Sequence, residues 1–235
     1  MANWRSAERH EDLIGRHRVP RGDAHLAAWI LVERAMVLDR RLGHPEKALA
    51  ALERAVAFEP APGPVRDALA RHLVRRQQTA KLVESLAVEA EHERDDDRAS
   101  RLLYAAARLL VDKLGFGATG EDVRGQRLSF AVEAIQHLTR ASARAPLGTP
   151  TSGRILAELI HLLEGSADLE TASAVRQKRL GLLTDPEQIA HEHVRLSEIL
   201  DGLGRADEAA FHAERALEIA PDDSHTRDRL DRILH

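Results

Sequence analysis

The sequence contains no cysteine, and its aromatic residues are limited to Phe 4, Trp 2 and Tyr 1 among 235 residues. The absence of cysteine excludes disulfides, thiolate nucleophiles and cysteine-ligated zinc or iron–sulfur sites. It is typical of proteins from a reducing compartment, so we expect a cytoplasmic location. So few aromatic rings provide no stacking platform for single-stranded nucleic acid.

A basic surplus and a long apolar run are also missing. Lysine and arginine number 34 against 38 aspartates and glutamates, which gives a net charge of −4. Nucleic-acid-binding proteins usually carry a basic surplus because they neutralise phosphates, so no nucleic-acid partner is expected. No apolar run approaches the roughly 20 residues that a membrane-spanning helix needs, so no membrane partner is expected either.

What the sequence does contain is helical periodicity over almost its whole length. Apolar residues recur at the 3.6-residue spacing of amphipathic helices, and the alternating pattern of strands is absent. Proline- and glycine-rich segments separate the helical stretches, and the segment 184–187 (Thr-Asp-Pro-Glu) has the spacing of a capping box. The predicted helices are 3–16, 22–42, 45–58, 62–76, 79–94, 96–114, 127–145, 150–164, 168–183, 186–203, 205–220 and 223–234.

A short pattern of small residues repeats along the chain. Two alanines seven residues apart are followed five residues later by a proline, in three copies: Ala48, Ala55 and Pro60; Ala134, Ala141 and Pro146; Ala209, Ala216 and Pro221. A glycine precedes both outer copies by five residues, at Gly43 and Gly204. Small residues at these positions allow helix backbones to approach to about 8–10 Å.

This pattern resembles the tetratricopeptide repeat, a helix–turn–helix unit of 34 residues. The last copy matches best when it is counted from Ala190. Leu196 and Leu200 then occupy large positions of the first helix, Ser197 the small one, and Gly204 the turn. The aromatic positions of the family signature are filled here by other residues, His193 and Leu200.

The resemblance implies an all-α, right-handed superhelical solenoid of about five helix pairs, formed as a single domain over residues 1–235. An extra N-terminal helix at 3–16 and a capping helix at 223–234 complete the prediction. The degenerate units are 62–94 and 150–183, where only helix length and hydrophobicity match. The copy spacing leaves 18 surplus residues between the first two copies, which predicts an insertion at 115–127 within the middle repeat. A bacterial source is expected for such a protein.

The insertion contains a literal G-x-G-x-x-G at 115–120. A dinucleotide-binding fingerprint needs a preceding strand and an immediately following helix, and the sequence predicts neither. We therefore interpret the segment as a loop. Its Phe116 either folds back onto the solenoid or contacts a partner.

Other motifs of catalysis or metal binding are missing. None of the 13 histidines pairs with another at the three- or four-residue spacing that places two imidazoles on one helix face. The acidic run 89–97 lacks the glycine of a calcium loop, and no nucleophile or nucleotide motif occurs. We expect no metal, no cofactor and no enzymatic activity.

In the family that the sequence resembles, the first helix of each repeat lines a concave groove that binds peptides or partner helices. The middle of the predicted groove is rich in arginine. This suits an acidic ligand, because one guanidinium group can donate two parallel hydrogen bonds to one carboxylate. The alternative is that these arginines are solvated and paired with Asp67 and Asp112. The predicted groove residues are Glu33, Arg40, Arg71, Arg75, Arg101, Arg108, Arg154, Glu158, His191 and Glu198.

The predicted function is therefore a non-catalytic scaffold or adaptor that binds another protein or peptide, with self-association left open. Two alternatives remain at this point. One is a sensory domain that binds a small molecule or signalling peptide beneath a lid formed by 115–127. The other is an enzyme with an unrecognised site.

Overall fold

The computed structural model describes residues 21–115 and 121–234. Within these ranges the regular structure is entirely helical, which confirms the all-α prediction. The helices are α1 (Arg21–Arg40), α2 (Pro45–Phe58), α3 (Pro64–Arg75), α4 (Thr79–His92), α5 (Asp96–Gly115), α6 (Glu121–Arg144), α7 (Pro150–Gly165), α8 (Leu169–Leu180), α9 (Pro186–Gly202), α10 (Ala206–Ile219) and α11 (Ser224–Leu234).

The described residues form two compact units, one ending at Arg94 and the other beginning at Asp95. In the first unit, α1 packs against α2, α2 against α3 and α3 against α4, and α1 also contacts α3. In the second, each helix from α5 to α11 packs against the next along the chain. Packing of consecutive helices is the arrangement of a helical repeat. The five predicted pairs and the C-terminal helix are thus present among the described residues, and a single domain over 1–235 stays a prediction.

The repeated alanines lie where the prediction requires small side chains. Ala48, Ala134 and Ala209 are fully buried, as are Ala55 and Ala141. In the last repeat, Ala209 packs with Leu196 and Leu200 in one apolar cluster, against which Leu180 and Ile233 also pack. Ile233 belongs to α11, so the C-terminal helix covers the last hairpin as predicted.

Side-chain caps fix several helix starts. Thr149 accepts a hydrogen bond from the backbone N–H of Ser152 at 3.2 Å, and Asp168 one from that of Thr171 at 3.2 Å. Helix α9 begins at Pro186, as its capping signal predicts, and the cap is Asp185, which accepts from the N–H of Glu187 at 3.3 Å. Such caps satisfy N–H groups that have no partner within the helix.

The boundary predicted for the insertion is wrong. Helix α6 starts at Glu121 and not at 127. Gly125 was interpreted as part of a helix break, but a single glycine inside a helix costs only about 1 kcal/mol and does not end it. Residues 121–127 are helical, so a loop or lid over the whole of 115–127 is contradicted, and the part of that prediction left untested is the glycine-rich segment 116–120. This segment lies outside the described residues, as do Phe116 and the predicted helix 3–16.

Other helix boundaries differ by three residues or fewer. The largest of these differences is at α8, which ends at Leu180 where 183 was predicted, with Gly181 as its cap residue. No helix among the described residues combines the length and apolar character needed to cross a bilayer.

Candidate partner-binding surfaces

A cavity of about 170 Å³ opens between α1 and α3 in the first unit. We call it the α1–α3 cavity. Apolar side chains and the ends of several charged ones form its walls. The lining residues are Trp29, Val32, Ala35, Met36, Asp39, Arg40, Leu52, Pro64, Ala68, Arg71, His72 and Arg75.

Asp39 is the buried acid of this cavity, with a side chain only 5% exposed. Arg75 donates a hydrogen bond to its Oδ2 at 2.7 Å, and Arg76 donates one to its Oδ1. The hydrogen bond from Arg76 is the main cause that holds the pKa of Asp39 below its ordinary value. Arg75, the last residue of α3, and Arg76, its C-terminal cap, thus neutralise the carboxylate of Asp39 on α1. Asp39 therefore stays ionised at neutral pH.

His72 lies beside this ion pair and is equally buried. Its Nδ1 is 3.6 Å from Oδ2 of Asp39, and its side chain is 5% exposed. Its Nε2 is buried without a hydrogen-bond partner among the described residues. A buried polar atom without a partner is costly and unusual in a native protein.

Arg40 and Arg71 are the free cations of the cavity lining, and we refer to them as the cationic rim. Both are exposed, and neither forms an ion pair within the described residues. The predicted pairing of Arg71 with Asp67 is absent there. Of the predicted groove residues in this unit, Arg40, Arg71 and Arg75 line the same cavity, whereas Glu33 is exposed on α1 and does not.

Several apolar side chains of α1 and α3 are exposed. Trp29, which lines the cavity, is 41% exposed, and Ile30 and Val37 of α1 are 37% and 43% exposed. Ile30 and Val37 are seven residues apart and therefore lie on one face of the helix. On α3, Val74 is 60% exposed. The first unit thus presents exposed apolar and cationic side chains on α1 and α3.

The predicted groove arginines of the second unit are mostly neutralised by neighbours. Arg101 pairs with Asp97 at 3.0 Å. Arg108 pairs with Glu158 at 3.2 Å and with Asp112 at 3.4 Å, so its predicted pairing with Asp112 is observed. The charge of Glu158 is the main cause that raises the pKa of Arg108.

The remaining predicted groove residues of this unit differ in their surroundings. Arg154 and His191 are exposed and have no polar contact within the described part of the chain. Glu198 accepts hydrogen bonds from Arg195 and, at 3.2 Å, from Arg229. Within the second unit, the predicted groove residues therefore differ in how far their charges are neutralised by the protein itself.

A buried ion network in the second unit carries no recognisable sequence signal. Glu192 is 1% exposed and accepts hydrogen bonds from Arg176 at 2.8 Å and Arg179 at 2.9 Å. Arg176 also donates to Glu164 at 2.7 Å. Burial disfavours ionisation of Glu164, but the hydrogen bond and charge of Arg176 outweigh it and lower the pKa of Glu164. The network connects α7, α8 and α9 and leaves no charge free to bind a ligand.

Two histidines, 19 residues apart in sequence, meet across the last hairpin. Nδ1 of His193 on α9 lies 2.8 Å from Nδ1 of His212 on α10. Burial is the main cause that lowers the pKa of both imidazoles. Spacing along one helix could not reveal this pair. The described residues contain no group of three or more histidines and carboxylates that could hold a metal ion.

The last hairpin, formed by α9 and α10, matches a known family of repeats. The sequence model of the tetratricopeptide repeat matches residues 193–223. Residues 193–223 are thus identified as a tetratricopeptide repeat. The matched residues fall within the repeat counted from Ala190, in α9 and α10, which confirms that the last copy carries the strongest signature.

Solved structures of several proteins, two of them described as TPR proteins, are similar to this one. TTC0263, a thermophilic TPR protein of Thermus thermophilus, is 21% identical; the match covers 88% of this chain and 99% of that one, with a TM-score of 0.36. YrrB, described as a TPR protein with an unusual peptide-binding site, is 14% identical; the match covers 86% and 90%, with a TM-score of 0.40. For MamA the identity is 14%, the coverage 87% and 96%, and the TM-score 0.40.

No curated protein matches the sequence significantly. The identities and TM-scores of the solved structures are too low for any functional comparison. The family match is confined to residues 193–223, the last hairpin of the chain.

Proposed function

We propose that this protein is a non-catalytic interaction scaffold that binds an acidic segment of another protein on the α1–α3 face of its first unit. The observation that carries the proposal is the cationic rim. Arg40 and Arg71 line an apolar cavity and are exposed without an ion pair among the described residues. The one carboxylate of the lining, Asp39, is already neutralised by Arg75 and Arg76.

The charge balance decides which surface is open to an acidic ligand. In the second unit, Arg101 and Arg108 are bound to carboxylates of the protein itself, so a ligand would have to displace those partners. On the rim no such displacement is needed. Each guanidinium offers two parallel N–H groups to a ligand carboxylate.

The rim is also positioned on rigid elements. Arg40 is in the last turn of α1 and Arg71 lies within α3, and both helices pack against α2. A surface held in this way loses little conformational freedom when a short segment binds. This supports binding of an extended or helical peptide by a preformed face.

The same lining argues against catalysis at this cavity. It holds Asp39 and His72 together, but it contains no serine, threonine or lysine that the imidazole could activate. Nucleophilic catalysis requires such a side chain within hydrogen-bond reach of the base. The arrangement suits the binding of anions and apolar groups.

The cytoplasmic location and the bacterial source remain predictions of the sequence.

The proposal is tested with synthetic peptides and two matched variants. The probes are a nine-residue peptide of glutamate and leucine and its counterpart with lysine in place of glutamate, titrated by calorimetry at several salt concentrations. We expect the acidic peptide to bind, with an affinity that falls as salt rises, and the basic peptide not to bind. The double variant Arg40→Ala, Arg71→Ala should weaken binding by about fivefold or more.

The control is Arg154→Ala, which removes an exposed arginine of the second unit that has no ion pair among the described residues. Its affinity for the acidic peptide should equal that of the unmodified protein. Equal loss in the control and in the double variant contradicts a site on the first unit. Undiminished binding by the double variant contradicts the role of the rim.

A further inference from the structure

An apolar stripe runs along the outer side of α1. Its members are Leu26, Ile30 and Val37, which are 60%, 37% and 43% exposed. At about 100° per residue, these three side chains lie within an arc of roughly 40° on the helix surface. The buried Ala35 lies roughly 160° from the middle of this arc, so the stripe faces away from the core of the first unit. We call these three residues the outer stripe.

Helix α1 is therefore apolar on two opposite sides. Its buried side, which includes Leu31 and Ala35, packs in the core of the first unit, where α1 contacts α2 and α3. The outer stripe stays exposed although these neighbours are in place. A helix with apolar side chains on opposite sides is typical of one that lies between two packing partners. The outer stripe thus indicates a second partner for α1.

The chain carries a suitable segment directly before α1. Residues 1–20 lie outside the described residues. The sequence predicts a helix over 3–16, in which Trp4, Ala7 and Ile14 recur at helical spacing. Only residues 17–20 separate this predicted helix from the start of α1. A link of this length makes two consecutive helices antiparallel neighbours.

From these observations we propose that residues 3–16 form a helix that packs antiparallel on the outer stripe of α1. The short link requires this helix to lie beside α1, and α2 and α3 already occupy the buried side, so the outer stripe is the apolar side that is open to it. Ile14 then lies opposite Leu26 near the link, and Trp4 lies opposite Val37 at the far end. The contact is separate from the proposed binding of an acidic segment.

The absence of cysteine permits a test with pairs of engineered cysteines in the full chain. The first pair is Ala7→Cys with Glu33→Cys, two positions that the antiparallel arrangement places at the same level. The comparison pair is Ala7→Cys with Asp23→Cys. Glu33 and Asp23 are both exposed on α1, about 15 Å apart along the helix axis. None of the replaced residues belongs to the outer stripe.

In an undocked segment the pair with Asp23 oxidises faster, because it closes the shorter loop. We expect the reverse order, with the pair at Ala7 and Glu33 forming its intramolecular disulfide about tenfold faster under mild oxidation. Electrophoresis without reductant and mass spectrometry measure the rates. Adding Ile30→Glu should remove this advantage, because docking would bury an unpaired carboxylate. Ala80→Glu, at an exposed position of α4, should leave it unchanged.

Three outcomes would overturn the proposal. Equal or faster oxidation of the pair with Asp23 is the behaviour of an undocked segment. An advantage of the first pair that survives Ile30→Glu excludes the outer stripe as the docking surface. Disulfides between two chains, together with a dimer in light scattering that Ile30→Glu dissociates, would assign the outer stripe to a second copy of the chain. Circular dichroism establishes that each variant is folded.

Discussion

Gln77 and Ala167 adopt the same left-handed backbone conformation, with φ of 56° and 60°. Each lies two residues before the second helix of a pair, as Gly204 does with φ of 73° in the last repeat. In all three turns the next residue's N–H donates to a carbonyl five residues earlier, at 3.0, 3.0 and 2.9 Å. The units 62–94 and 150–183 therefore have the same turn as the last repeat but lack its glycine.

The first prediction concerns this turn. A left-handed conformation costs a residue with a side chain about 1–2 kcal/mol, and glycine avoids that cost while losing more entropy on folding. We expect Ala167→Gly to raise the free energy of unfolding by about 0.5–1 kcal/mol. Urea denaturation followed by circular dichroism measures the change.

Gly204→Ala is the matched control for Ala167→Gly. An added Cβ at Gly204 meets no atom within 4 Å, so the backbone conformation alone determines the effect. This variant should be destabilised by about 1 kcal/mol. A loss of stability in Ala167→Gly would show that the turn does not store the expected strain.

The second prediction concerns the small residue of the last repeat. Ala209 is fully buried and packs with Leu196 and Leu200, so a larger side chain has no space. Ala209→Leu should cost about 1–3 kcal/mol through overpacking. The exposed Ala206, at the start of the same helix, provides a comparison, because Ala206→Leu should leave the denaturation midpoint nearly unchanged. Equal midpoints for Ala209→Leu and the unmodified protein would contradict the assigned packing.

The third prediction concerns the buried ion network. Glu192→Ala leaves Arg176 buried with only Glu164 as its acidic partner, and it also removes the partner of Arg179. Breaking a buried pair from one side costs about 3–5 kcal/mol, so a loss of about 3 kcal/mol is expected. Equilibrium denaturation provides the measurement.

An exposed ion pair serves as the control for Glu192→Ala. Glu208 accepts a hydrogen bond from Arg205 at 2.7 Å, and both side chains are more than one third exposed. Glu208→Ala should cost less than about 1 kcal/mol. Similar losses in both variants would mean that burial does not strengthen the network.

The fourth prediction concerns pH. Burial lowers the pKa of His193 and His212 below the ordinary value of 6.5, so the folded protein favours the neutral imidazoles. The unfolded chain binds protons at a higher pH than the folded one. The contribution of this pair to the free energy of unfolding is therefore fully present above pH 6.5. It is lost as the pH falls from 6.5 toward the lowered pKa values of the two folded-state imidazoles.

The double variant His193→Gln, His212→Gln should show a weaker decline of unfolding free energy between about pH 7.5 and 5.5. Part of the decline should persist, because burial lowers the pKa of His137 in the same direction. His191→Gln, which changes an exposed histidine beside the pair in sequence, should retain the full decline. A double variant with the unmodified slope would exclude the pair as its source.

The fold was predictable because its signals are local. Apolar spacing and helix breaks predicted the helices that the structure contains, and Ala209, Ala216 and Pro221 predicted the repeat that the family comparison confirms. The start of α6 at Glu121 was not predicted, because glycine in a sequence is usually interpreted as the end of a helix. One glycine inside a helix, such as Gly125, costs little. The left-handed conformation of Gln77 was not predicted either, because the type of residue does not show which backbone hydrogen bonds impose that conformation.

The sequence by itself determined that this chain forms amphipathic helices in pairs, because neighbouring residues set helix periodicity, caps and breaks. Only the tertiary structure decided which charges are available to a partner. Asp39 meets Arg75 across 36 residues and Arg108 meets Glu158 across 50. Ion pairing depends on distances of a few ångströms between helices, and no spacing along the chain encodes them. The same packing that neutralises these arginines leaves Arg40 and Arg71 exposed beside the cavity.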